Sequence, residues 1–154
     1  MYASKRVAES AIDLVQPSIG QALQCAAKRN AGCIRVSTRR RDGSWVLLAQ
    51  RVFGQPRDEW EHDYEGHATA KERMSQRTGM SSREVQCLHP EAIMPGDTVY
   101  FGSVVSADGN IVVAYSGVEA FFDEMFAKWT LAAILALIEQ KLEEQRATQA
   151  AFFS

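Results

Sequence analysis

The chain has 154 residues, 46% of them hydrophobic and 23% charged, with a formal net charge of −2 and a pI near 5.9. That length suits one domain, residues 1–154, with a core of ordinary size, and the balance is that of a soluble globular protein rather than a disordered one. A weakly acidic chain whose one basic cluster, Arg39-Arg40-Arg41, adjoins the turn pair Asp42-Gly43 carries no electrostatic footprint for nucleic acid.

In chain order, Ala8, Ile12, Val15, Ile19, Leu23 and Ala26 recur at helical spacing, so the chain opens with a helix bearing one apolar stripe. Pro17 either kinks that helix or divides it in two, and Asn30-Ala31-Gly32 offers residues tolerant of a left-handed cap at its end. Cys33 to Thr38 alternates apolar and polar residues as a strand does; Arg41 to Ser44 turns, and Trp45 to Gln50 returns. Gly54 and Pro56 mark a loop after Val52. A polar helix is predicted from Arg57 or Asp58 to Arg77, ended by Thr78-Gly79. Its acids cluster early (Asp58, Glu59, Glu61, Asp63, Glu65) and its bases late (Lys71, Arg73, Arg77), as the helix dipole favours. Gly66 within it costs about 1 kcal/mol against Ala and marks close packing or a break.

Ser81-Ser82-Arg83-Glu84 reads as a capping box before a short helical turn, and Cys87 to Pro95 as a connector. Thr98 to Val105 and Ile111 to Tyr115 are predicted strands of a second hairpin across Asp108-Gly109, where glycine supplies the turn. Phe122 to Gln145 contains no Gly or Pro and is a helix with Asp123 and Glu124 in its first turn; residues after Ala147 lack a pattern. The order α-β-β-α-β-β-α implies an α+β fold, a mainly antiparallel sheet flanked by helices.

Three cysteines (Cys25, Cys33, Cys87) without Cys-x-x-Cys spacing argue against a disulfide framework or structural zinc and fit a reducing cytoplasm; Cys25 and Cys33 read as small buried hydrophobes. No apolar run follows the basic N-terminal residues, and Leu131 to Ile138 falls far short of the roughly 20 residues of a membrane span. The chain therefore reads as cytoplasmic, with no membrane partner. No Gly-x-Ser-x-Gly, phosphate-binding or dinucleotide-binding glycine motif is present, nor a His-Glu-x-x-His. Asp58, Glu61, His62 and Glu65 would share one face of the predicted helix, an oxygen-and-imidazole set for a divalent metal, although a solvated acidic face is the plainer account. His62 and His67 would stand about 140° apart on that helix.

Several short motifs resemble the GlcG/HbpS-like family of haem-binding or haem-degrading proteins, which includes the C-terminal domain of PduO-type proteins. These are the Cys33–Gln50 hairpin around Asp42-Gly43, the His67-Ala-Thr-Ala-Lys71 element, and Ala114-Tyr115-Ser116-Gly117 followed by Asp123-Glu124. The sequence departs from the family pattern at Met94-Pro95-Gly96-Asp97 and in Ile111-Val-Val, where the family has glycine-rich segments. The resemblance implies a profilin- or PAS-like fold and a small-molecule or tetrapyrrole ligand such as haem; oxidative haem breakdown is the one enzymatic reading it supports. It also implies His67 as axial ligand, room for a flat ring beside Gly66, Lys71 as partner of a propionate, and His62 as runner-up ligand. The alternative is a structural or interaction protein whose fold serves only assembly. Self-association is expected in either case, because Leu131 to Ile138 is apolar all round, with Phe121, Phe122, Met125, Phe126 and Trp129 before it.

Overall fold

A computed structural model describes residues 2–153, apart from the Phe153 side chain. Four helices and four strands follow in the order α1 (Lys5–Cys25), β1 (Ala31–Arg39), β2 (Trp45–Gly54), α2 (Tyr64–Thr78), α3 (Ser82–Leu88), β3 (Ser103–Val105), β4 (Ile111–Ser116) and α4 (Ala120–Phe153), with short 3-10 turns at Arg57–Glu59 and Pro90–Ala92. The strands form one antiparallel sheet in the order β2-β1-β4-β3. No helix among the described residues is long and apolar enough to cross a membrane.

Strand alternation assigns the two faces. Ile34 and Val36 of β1, Ala49 and Phe53 of β2, and Ile111, Val113 and Tyr115 of β4 join Ile12, Ile19, Phe126 and Ile134 in the core beneath α1 and α4. The opposite residues, Arg35 and Ser37, meet α2, through Arg35–Glu72 (3.2 Å) and Gln76–Ser37 (2.9 Å). Because β4 is covered on both faces, all six of its residues are buried, which is why it shows no polar alternation. Tyr115 crosses the core and donates its hydroxyl to the Ala31 carbonyl at 2.9 Å. Gly32 makes this possible: a Cβ there would lie 2.2 Å from the Tyr115 hydroxyl oxygen.

Several boundaries differ from expectation. Pro17 lies within one continuous α1, opened by Ser4, whose hydroxyl accepts the Val7 N–H at 3.2 Å. That helix ends at Cys25, leaving Cys25 exposed and placing Asn30-Ala31-Gly32 at the start of β1 rather than at a cap. β2 runs to Gly54 because its pairing with β1 continues to Ala31. The third strand is only Ser103–Val105: the Gln86 amide donates to the Thr98 and Tyr100 carbonyls, which occupy no ladder. The capping box at Ser81 forms as predicted. α4 continues through residues 147–153, so the unpatterned tail is helical.

Candidate ligand pocket

The helix predicted from Arg57 begins instead at Tyr64. Asp63 caps it, its Oδ1 accepting the Gly66 N–H at 2.9 Å, and the Trp60 indole pins the preceding bend by donating to the Gln55 carbonyl at 3.1 Å. Gly66 serves this cap: a Cβ there would lie 2.3 Å from Asp63 Oδ2. The room proposed beside Gly66 for a flat ligand is thus filled by the Asp63 carboxylate.

One face of α2 lies against the sheet, burying Tyr64, Ala68, Lys71 and Ser75 at helical spacing. Lys71 is therefore interior. Its side chain is 1% exposed, and its Nζ donates to Asp123 Oδ2 at 2.9 Å and to the Tyr115 carbonyl at 3.0 Å. Asp123, in the first turn of α4, accepts the Val118 N–H on Oδ1 at 3.1 Å. One carboxylate thereby neutralises a buried ammonium and fastens the strand-to-helix turn. Burial dominates both titrations, pushing Lys71 below the usual lysine range and lifting Asp123 from 3.8 to about 6, while their attraction opposes each shift. Gly117 completes the turn with φ +154°, and a Cβ on it would meet the Gly32 Cα at 2.3 Å, so this close approach requires glycine.

Ser116, Gly117 and Val118, with the Lys71–Asp123 pair, line a cavity of about 210 Å³. Tyr64, Tyr100, His62, His67 and Arg29 complete its wall. The half-buried His67 ring meets Tyr100 edge-on at 6.3 Å, and the exposed His62 ring meets Tyr64 at 6.2 Å. Among the described residues neither imidazole has a hydrogen bond or ion pair.

The three residues named for a cofactor, His67, Lys71 and His62, thus line one cavity, but not as expected. His62 precedes α2 instead of standing on its far side, so the bend at Asp63 returns it to the pocket of His67. Lys71 is committed to Asp123 and is not free to meet a propionate. Arg29, which no motif singled out, supplies the cation; only the tertiary approach of the α1–β1 loop brings it here. The metal set is corrected: Asp58 lies in the 3-10 turn, Glu61 and His62 precede the helix, and Glu65 pairs with Arg57 at 3.1 Å. Among the described residues no group of three or more His, Cys, Asp or Glu could hold a metal ion. His89 pairs with Glu91 on an exposed connector, away from the cavity.

This four-stranded sheet, with its flanking helices, is an α+β fold of the GlcG/HbpS-like kind. No family model matches the sequence, and no curated protein matches it. Among solved structures, HbpS is similar with a TM-score of 0.56 at 18% identity, over 86% of this chain and 89% of that one. The Klebsiella pneumoniae protein ORFY, of family DUF336, is similar with a TM-score of 0.59 at 16% identity, over 88% and 92%. PduOC, solved as a haem complex, is similar with a TM-score of 0.56 at 14% identity, over 82% and 91%. At these identities the likeness is one of fold.

Proposed function

We propose that this protein is a small-ligand binding module and that its ligand is haem or another tetrapyrrole, held at the cavity beside α2. The observation that carries this reading is the pair of uncommitted imidazoles, His67 and His62, on the wall of a cavity that also presents the Tyr64 and Tyr100 rings. Haem requires an axial donor and a largely apolar slot, and these residues are of the right kinds. A cavity of about 210 Å³ is smaller than the ~300–1,000 Å³ typical for drug-sized ligands, so it would enclose a macrocycle only in part. PduOC, which shares the fold, forms a haem complex, and this lends support. If haem binds, His67 would hold its iron, with His62 as the alternative donor, and the group would supply redox-active iron to the site.

Titration with haem tests the assignment. Saturable uptake of one haem per chain, with a Soret shift that His67→Ala abolishes and His62→Ala and His89→Ala retain, is expected. If all three variants titrate like the parent, haem adheres to apolar surface and the assignment fails.

A further inference from the structure

Arg29 stands between α1 and β1, in a loop that Lys28 ties to the turn before α4 by donating its backbone N–H to Glu119 Oε1 at 2.9 Å. The guanidinium lies over the Tyr64 ring, 5.9 Å from its centroid, and lines the cavity. Its Nε is buried and has no hydrogen-bond partner, and among the described residues no carboxylate pairs with it. A buried donor left without an acceptor is destabilising, and more so when it belongs to a charged group. The one acid on the cavity wall is Asp123, and both its oxygens are occupied, by Lys71 and by the Val118 N–H. With that pair self-neutralised, Arg29 leaves the cavity positive, and His62 and His67 add charge whenever they are protonated.

We infer that the cavity is a carboxylate site and that Arg29 is its anchor. This rests on the reading of the cavity as a ligand pocket and assigns the chemical class of what enters it. The planar guanidinium matches a carboxylate with two parallel N–H donors, a geometry the ammonium of Lys71 could not offer even if it were free. The Tyr64 and Tyr100 rings provide walls for a flat body joined to that carboxylate. Two sources share the chemistry: a small planar acid enclosed whole, or a propionate arm of a tetrapyrrole whose ring rests at the mouth.

Calorimetric titration of the full chain with benzoate, haem and haem dimethyl ester, against Arg29→Met and Arg29→Lys, tests the inference. Arg29→Met is expected to weaken binding of the acid-bearing probes about 10- to 100-fold, the range for a hydrogen bond to a charged group. Arg29→Lys should fall between the two, and the ester should bind parent and Arg29→Met alike. Undiminished binding of the acids by Arg29→Met overturns the anchor and leaves the pocket reading intact; so does an equal loss for the ester, which reports general damage. Arg29-dependent binding of benzoate without haem uptake upholds the carboxylate site and removes the haem assignment. If no probe binds the parent, both are overturned.

Discussion

Lys71→Met isolates the energetics of the interior pair. The parent holds an ammonium 1% exposed against a carboxylate 3% exposed, 2.9 Å apart, so removing the cation strands Asp123 in a medium that cannot solvate it. Loss of one member of a buried pair costs about 3–5 kcal/mol, whereas replacing both with neutral groups is often close to neutral. Lys71→Met/Asp123→Asn is therefore expected within about 1 kcal/mol of the parent, because the Asn carbonyl can still accept the Val118 N–H, so the double variant should be far more stable than the two single losses, about 3–5 kcal/mol each, would add up to. The pH dependence sharpens the test. A carboxyl raised from 3.8 unfolded to about 6 folded contributes stability that is present below 3.8 and lost as pH rises through 6, about 3 kcal/mol at 1.36 kcal/mol per pH unit. Without Lys71 the folded value rises further, so the deficit of Lys71→Met should be small near pH 4 and widen towards pH 7. Urea unfolding at both pH values, with m-values confirming a two-state transition, measures it. A deficit below about 1 kcal/mol at pH 7, additivity of the two substitutions, or a deficit that shrinks with rising pH would refute the reasoning.

The thiols should separate by environment: Cys33 is buried and pushed up to about 12, chiefly by burial and secondly by Glu65, while Cys25 and Cys87 are exposed. Ellman's reagent should titrate two thiols in the native protein and the third only on unfolding; three rapid reactions would contradict the described core. Self-association is also expected, because α4 leaves Phe121 61% exposed and Leu131, Leu135 and Leu137 only partly covered even with α1 beside it. Light scattering at micromolar concentration should give at least twice the 17.1 kDa chain mass, and a monomeric mass would dismiss it.

Local patterns in the chain were enough for the frame α-β-β-α-β-β-α, into which α3 enters after α2 where a short helical turn is predicted, and for the turns at Gly43 and Gly109, the Ser81 capping box and the unbroken helix after Phe122, because each depends on residues within a few positions of one another. The family likeness pointed further, to His67, Lys71 and the Ser116-Gly117 turn. The roles of those residues were a different matter. Charge sorting counted Lys71 only among the late bases of a dipole-matched helix, yet its spacing from Tyr64 and Ala68 carries it inward to Asp123, 52 residues along the chain. The helix start moved from Arg57 to Tyr64 because a cap at Asp63 and a pinned Trp60 outweigh the propensity of an acidic run, and that move dispersed the metal set and brought His62 to the cavity of His67. Arg29 had no local signal whatever: a single arginine after a helix says nothing until Lys28 and Glu119, 91 residues apart, close the loop over Tyr64. Helices, caps and turns follow from neighbouring residues, whereas the pocket's charge, its walls and the freedom of its donors follow from which distant groups meet away from water, and only the tertiary structure decided that.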